Sequence, residues 1–114
     1  MDIPLISPQE LAEKLQSDAD FILLDVREQW ELDYARFEDK RLIVLPLSLL
    51  AQKREAALPE TFQNRAAEIV VACHHGIRSA DVTRWLVMQG WQNVKSLDGG
   101  IAAYAEIDGS VGYY

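Results

Sequence analysis

The chain of 114 residues contains one cysteine, Cys73, so no disulfide can form within it and its fold needs no oxidising compartment. It also lacks any apolar run that approaches the roughly 20 residues of a membrane-spanning helix. The N-terminal sequence MDIPLISPQE has neither the basic start nor the long apolar stretch of a secretion signal. These absences predict a cytoplasmic protein.

Positive charge is scarce along the chain. There are 11 basic residues against 18 acidic ones, which gives a net charge of −7. Nucleic acids and anionic membranes need a basic face on their protein partners, so the sequence predicts neither as the main partner. A basic pocket inside an acidic surface is still compatible with this balance, and its candidate residues are Arg27, Arg78 and Arg84.

The composition predicts one globular domain over residues 1–114. Hydrophobic residues make up 49% of the chain. A chain of this length buries about two-thirds of its unfolded surface, which is enough for a core without a metal or disulfide. No internal repeat, low-complexity tract or linker marks a second domain.

Helix signals recur along the chain. In SPQEL, Ser7 is a capping residue, Pro8 suits the first helical position, and Glu10 completes a capping box. This helix is predicted to run to about Ser17. Further helices are predicted in EQWELDYARF, in SLLAQKREAAL with Ser48 as its cap, from Ser79 to Gln89 with Gly90 just beyond, and in GGIAAYAEI.

Three short apolar runs have the length and composition of buried strands: DFILLDV, RLIVLPL and AEIVVAC. NVKSL is predicted as a further strand. The predicted strands alternate with the predicted helices, which is typical of a small α/β domain with a mainly parallel sheet. In open sheets of this kind, ligands bind beyond the carboxyl ends of the strands. Cys73 ends the third run, so the sequence places it where a ligand would bind.

The residues after Cys73 suit a reactive thiolate. The sequence CHHGIRS leads into the helix predicted from Ser79, and a helix N-terminus directs positive potential at a nearby anion. Gly76 allows the backbone angles at which successive N–H groups turn inward around such an anion. Arg78 adds a forked cation suited to sulfonate, phosphate or carboxylate oxygens, so we expect it to dock an anionic substrate.

Two other interpretations of this loop are weaker. A lone cysteine at the end of a buried strand is often an inert apolar residue, but the neighbouring glycine, arginine and helix start favour a reactive one. Cys73, His74 and His75 would form a poor metal site, because three successive residues rarely converge on one ion. We expect the histidines to be loop walls or solvent-exposed side chains, and we predict no metal or organic cofactor.

The segments ACHHGIRSADVTRWLVMQGW and VKSLDGGIAAY, together with ISPQEL and FILLDVREQWEL, resemble the single-domain rhodanese-like sulfurtransferases over nearly the whole chain. The resemblance implies a five-stranded, mainly parallel sheet with helices on both faces. It also implies that Cys73 is the nucleophile that carries sulfur as a persulfide, and that Asp25 and Arg27 are mainly structural supports. The substrate-binding loop would consist of His74, His75, Gly76, Ile77, Arg78 and Ser79.

Other segments match or depart from the family pattern. Asp98, Gly99 and Gly100 match its second signature, a tight turn into the last helix. Where the family usually has a Gly-His-Ile segment, this chain has DYARFEDKRLIVLPL, so we expect the pocket edge there to differ. Tyr104 stands where tryptophan is common. The tail AEIDGSVGYY resembles the end of rhodanese modules fused behind sulfur-carrier-activating enzymes, which hints at a sulfur-carrier protein as partner.

The resemblance implies a sulfurtransferase that takes sulfur from thiosulfate or a protein persulfide. Its acceptor would be cyanide in vitro, or a thiol or sulfur-carrier protein. Certain phosphatases and arsenate reductases share the scaffold, but their loop has five residues between cysteine and arginine, whereas four separate Cys73 from Arg78. The other alternative is a non-catalytic redox-sensing or docking module, although one cysteine leaves no resolving partner within the chain.

Overall fold

The computed structural model describes residues 2–114, which form a parallel sheet with helices on both faces. The strands are β1 (Leu5–Ile6), β2 (Ile22–Asp25), β3 (Leu42–Val44), β4 (Glu68–Ala72) and β5 (Asn93–Leu97). The helices are α1 (Pro8–Gln16), α2 (Leu47–Lys53), α3 (Ile77–Met88) and α4 (Gly100–Ala105). The five strands lie in the order β1-β5-β4-β2-β3 and every pairing is parallel, so the predicted α/β architecture is confirmed. None of the helices in residues 2–114 is long and apolar enough to cross a membrane.

Strand β4 lies at the centre of the sheet and is buried on both faces. Val70 belongs to a core cluster with Leu11 of α1 and Ile101 of α4. Its neighbour Val71 belongs to the opposite cluster, which contains Leu86 of α3. Because successive strand residues point to opposite faces, a strand covered on both sides is apolar throughout, which is why AEIVVAC lacks alternation.

Helix α1 begins with the capping box that the sequence predicts. Ser7 Oγ accepts a hydrogen bond from the Glu10 amide, and Glu10 Oε1 accepts one from the Ser7 amide, both at 3.1 Å. At the other end, the Arg41 guanidinium donates to the carbonyls of Lys14 and Leu15 at 3.1 and 2.9 Å. These contacts satisfy backbone groups that the helix leaves unpaired at both ends.

The prediction of a helix over residues 28–37 is wrong. A 3-10 turn covers Gln29–Asp33 instead, and Trp30 and Tyr34 are 61% and 59% exposed. The reason lies in Arg27, whose buried guanidinium donates a hydrogen bond to the carbonyl of Ala35 at 2.8 Å. That contact folds the segment back over the arginine, and most of its backbone bonds join residues three apart, from Glu31 to Glu28 and from Tyr34 to Glu31.

The boundaries of α2 also differ from the prediction. The helix begins directly after Pro46, so Ser48 is not its cap, and the Ser48 hydroxyl donates instead to Glu28 Oε1 at 2.7 Å. The helix ends where Arg54 takes a positive φ of 53°, which an L-residue rarely adopts. A 3-10 turn over Arg54–Ala57 replaces the rest of the predicted helix.

The start of α3 and the presence of strand β1 also differ from the prediction, whereas the end of α3 agrees with it. Helix α3 begins at Ile77, two residues before the predicted Ser79, directly after Gly76 with its left-handed φ of 99°. Strand β1 was not predicted, because Leu5–Ile6 is too short to show a pattern and Leu5 is 53% exposed. Gly90 follows the end of α3 with a φ of 103°, as the sequence predicts.

The segment at 33–45, which departs from the family pattern, packs against residues of the last helix and the segment after it. Ala35 and Gly112 form an isolated antiparallel bridge. Phe37 is 2% exposed, and its ring meets the Tyr104 ring edge-on with centroids 5.2 Å apart. Tyr104, which stands where the family commonly has tryptophan, is therefore a core residue that pairs with a side chain from this segment.

The turn between β5 and α4 fixes the loop that follows β4. Gly99 and Gly100 have left-handed φ angles of 75° and 68°, which glycine adopts without strain. The amide of Ile101 donates to the carbonyl of Cys73 at 2.8 Å, and that of Ala102 donates to the carbonyl of His74 at 3.1 Å. The start of α4 thus holds the backbone on which the cysteine lies.

We predict that Gly100→Ala destabilises the protein much more than Gly90→Ala. A Cβ at Gly100 would overlap the backbone of Cys73 and His74, whereas at Gly90 it would meet only the flexible side chain of Arg65 at 3.4 Å. Both positions carry the left-handed strain of about 1–2 kcal/mol. Because of the overlap, Gly100→Ala should lower the free energy of unfolding by about 3 kcal/mol or more, as measured in denaturant. Equal losses for the two variants would contradict the proposed role of this turn.

Candidate active site

The thiol of Cys73 lies at the carboxyl end of β4, where two backbone amides point at its sulfur. Its residue is 1% exposed. The sulfur accepts hydrogen bonds from the Gly76 amide at 3.1 Å and from the Ser79 amide at 3.3 Å. The left-handed backbone of Gly76 turns its N–H inward, and Ser79 contributes from the first turn of α3. Two N–H groups aimed at one sulfur favour the anionic form of that atom.

A pair of buried hydroxyls continues behind the sulfur. Ser79 Oγ lies 3.4 Å from Cys73 Sγ, and Ser96 Oγ lies 2.8 Å from Ser79 Oγ. A protonated thiol donates to Ser79, whereas a thiolate accepts from the Ser79 hydroxyl, which in turn accepts from Ser96. Such a chain strengthens the bond nearest the charge. Ser96 therefore belongs to the site, although it lies on β5, far from the cysteine in sequence.

Arg78 does not face an open anion site, contrary to the sequence-based expectation. Its Nη1 and Nη2 atoms donate to Glu31 Oε2 and Oε1 at 2.6 and 2.8 Å, a bidentate ion pair. The Glu31 side chain is 3% exposed and that of Arg78 is 30% exposed. Hydrogen bonds from Arg78 outweigh the opposing effect of burial and lower the pKa of the Glu31 carboxyl to about 2. The same contact raises the pKa of Arg78.

Arg27 and Asp25 form a second ion pair below the cysteine loop (residues 73–79). Both side chains are fully buried, and Arg27 Nη2 lies 2.7 Å from Asp25 Oδ2. Arg27 Nη1 also donates to the hydroxyl of Tyr114 at 3.1 Å. Arg84, the third arginine considered for a basic pocket, pairs with Asp81 on the exposed side of α3. The three arginines thus face three different carboxylates and form no common basic pocket.

A row of aromatic rings flanks the cysteine loop. His74 stacks on Tyr114 with ring centroids 3.7 Å apart, and His75 stacks on His74 at 3.8 Å. Tyr34 stacks on the other face of this group, 5.9 Å from Tyr114, and Trp30 meets Tyr34 edge-on. His74 Nε2 lies 2.9 Å from the main-chain oxygen of Tyr114, so this nitrogen carries the proton. The histidines therefore form one wall of the loop.

The remaining loop residue, Ile77, is 75% exposed. It lies at the start of α3 and presents an aliphatic side chain to solvent beside the loop. Trp30 and Tyr34, which lie in the segment that carries Glu31, also expose their rings to solvent.

Three residues of the site were not predicted from the sequence: Glu31, Ser96 and Tyr114. The sequence predicts a helix at Glu31, whereas the 3-10 turn in the structure brings Glu31 to Arg78. Ser96 reaches the site through the parallel register that pairs it with Val71. A serine within a predicted strand, as in NVKSL, is the local signal that points to such a role, because a hydroxyl that becomes buried there needs a partner.

The ion pair of Glu31 should make stability depend on pH. The pKa of Glu31 falls from 4.5 to about 2 on folding, so its contacts stabilise the protein above about pH 4.5 and are lost as the pH falls toward 2. The free energy of unfolding of Glu31→Gln should be about 1–3 kcal/mol lower than that of wild type at neutral pH. In denaturant titrations at low pH, this difference between the two proteins should narrow. A difference that stays constant down to pH 2 would contradict the assignment.

Comparisons with known proteins agree with this fold. Residues 7–107 match the family of the Rhodanese-like domain. A tRNA uridine(34) hydroxylase from Xanthomonas campestris is 31% identical over 115 residues, a match that covers 96% of this chain and 45% of that protein. The chain therefore spans less than half the length of this curated relative.

Solved structures show the same likeness. A rhodanese-related protein from Thermoplasma volcanium is 28% identical, with a TM-score of 0.72 over 92% of this chain and 93% of that one. An NAD-dependent persulfide reductase from A. fulgidus is 31% identical, with a TM-score of 0.63 over 90% of this chain and 16% of that one. Since the family match extends over most of its residues, the chain belongs to the rhodanese-like domain family.

Proposed function

We propose that this protein is a sulfurtransferase that carries sulfane sulfur as a persulfide on Cys73. The observation that carries the proposal is the pair of amides, from Gly76 and Ser79, that donate to the sulfur at 3.1 and 3.3 Å. They stabilise a thiolate before attack, and an added sulfur atom would keep its negative charge beside the same two N–H groups. No metal or organic cofactor is required for this chemistry.

The reaction consists of two displacements at sulfur. The Cys73 thiolate attacks the outer sulfur of the donor, an S–S bond forms, and the donor's own S–S bond breaks with its electron pair going to the leaving group. A nucleophilic acceptor, such as a thiolate or cyanide, then attacks the outer sulfur of the Cys73 persulfide and releases the thiolate. The structural likeness to a persulfide reductase supports a persulfide as the physiological form of the transferred sulfur.

A phosphatase function is disfavoured by the partner of Arg78. A phosphate group would need this guanidinium, but Glu31 already takes both of its Nη atoms, and the carboxylate would repel a phosphate dianion. The name of the hydroxylase relatives refers to tRNA, but this chain spans only 45% of the Xanthomonas campestris protein, and its net charge of −7 does not favour RNA binding.

Replacing the nucleophile tests the proposal directly. Wild-type protein should gain one sulfur atom after incubation with an alkyl persulfide and lose it on addition of cyanide, as followed by intact mass. Cys73→Ser should gain none while it keeps its far-UV circular dichroism, because serine is a close match in shape. Sulfur gained by Cys73→Ser, or none gained by folded wild-type protein from any sulfane donor, would overturn the proposal.

The two hydroxyls behind the sulfur should affect its reactivity in a graded way. Ser79→Ala removes a donor to the thiolate and should slow alkylation of Cys73 by iodoacetamide at neutral pH by about three- to tenfold. Ser96→Ala removes only the second hydroxyl and should slow it less. Thr83→Val is the matched control, since the buried Thr83 hydroxyl has no hydrogen-bond partner within residues 2–114. Equal rates for wild type and Ser79→Ala would show that the hydroxyl does not support the thiolate.

A further inference from the structure

The carboxylate of Glu31 is held by donors on all sides. Besides the two bonds from Arg78, Oε2 accepts from the Glu28 amide at 2.8 Å and Oε1 accepts from the Tyr114 hydroxyl at 2.9 Å. With a side chain only 3% exposed, Glu31 cannot exchange these donors for water. An incoming anion would have to strand a buried carboxylate in order to capture Arg78, which is unfavourable.

The positive charge near the cysteine is therefore already matched within the fold. Arg78 is paired with Glu31, and Arg27 is paired with Asp25. What remains for a substrate is the pair of backbone N–H groups, from Gly76 and Ser79, that point at the sulfur. Such a site can hold one negative charge at the sulfur, but it has no free guanidinium for a second.

We propose that Glu31 determines donor specificity: by neutralising Arg78, it selects persulfides, whose reacting group carries at most one negative charge, over donors such as thiosulfate, whose reacting group is a dianion. This inference rests on the proposed sulfurtransferase function. It replaces the expectation that Arg78 docks an anionic donor.

Charge balance distinguishes the two reactions. With a protonated persulfide, the thiolate attacks the outer sulfur and the S–S bond breaks. The leaving thiolate takes the proton of the new Cys73 persulfide, which is the stronger acid, so a neutral thiol departs and the persulfide stays in the site as an anion. The site thus holds one negative charge throughout. With thiosulfate, a thiolate meets a dianion and a sulfite dianion leaves, so three negative charges must be accommodated. Without a free cation, like-charge repulsion slows that reaction.

Glu31→Gln tests the inference, because the neutral amide keeps the shape of the side chain but no longer neutralises the charge of Arg78. The rate of sulfur gain on Cys73 is measured by intact mass with two donors, thiosulfate and the persulfide of 2-mercaptoethanol. Wild type should prefer the persulfide. In Glu31→Gln, the specificity constant for thiosulfate relative to that for the persulfide should rise at least about tenfold. Adding Arg78→Gln to this variant should abolish the rise.

Glu28→Gln is the matched control. Glu28 precedes the same 3-10 turn, and its carboxylate bonds to Ser48 rather than to Arg78. Its loss should change the donor ratio by less than about twofold, since it removes one negative charge without freeing a cation. An equal effect of Glu28→Gln and Glu31→Gln would show that net charge, not Arg78, sets the preference, and would overturn the inference.

The remaining outcomes separate this inference from the function on which it rests. If wild type gains sulfur from thiosulfate as readily as from the persulfide, the donor inference fails and the sulfurtransferase function stands, whether or not Glu31→Gln folds. If Glu31→Gln folds and its donor ratio is unchanged, the inference fails in the same way. If neither donor transfers sulfur to folded wild-type protein, both are overturned.

Discussion

The structure around the cysteine depends on one constraint, the full burial of the charged Arg27 side chain at the end of β2. A guanidinium out of contact with water needs a counter-charge and acceptors for its donors. Asp25 supplies the charge, and the carbonyl of Ala35 and the hydroxyl of Tyr114 supply further acceptors. Because of these contacts, residues 28–35 and Tyr114 lie over the carboxyl end of the sheet, where Cys73 also lies. The pair is thus best understood through the geometry it imposes, since buried ion pairs seldom add net stability.

The same contacts connect this ion pair to the second one. The Tyr114 hydroxyl accepts from Arg27 and donates to Glu31, which binds Arg78 in the cysteine loop. A continuous polar network therefore runs from the end of β2 to the start of α3. On the opposite side, the first amides of α4 hold the carbonyls of Cys73 and His74. The loop is fixed from both sides, so its N–H groups point at the sulfur before any substrate arrives, as preorganised stabilisation of an anion requires.

The features that could be predicted from the sequence are those that short segments determine. The capping box of α1 lies within SPQEL, the buried strands are continuous apolar runs, and Gly76 marks the inward turn of the cysteine loop. The features that were missed depend on contacts between distant segments. The 3-10 turn at Gln29–Asp33 forms because of a side chain that precedes it, and Ser96 enters the site through the pairing of β4 with β5. Local propensity contains no information about either contact.

Arg78 shows why a motif does not define the charge of a site. In the sequence, CHHGIRS has a cation and no carboxylate, which suggests a loop built for anions. In the fold, a buried glutamate from 47 residues earlier takes both ends of the guanidinium. The loop keeps its backbone donors, which are sufficient for a thiolate or a persulfide, and loses the cation that a more highly charged ligand would need. The chemistry available to Cys73 is thus set by the amides of Gly76 and Ser79. Arg78 instead joins the cysteine loop to the 3-10 turn that carries Glu31.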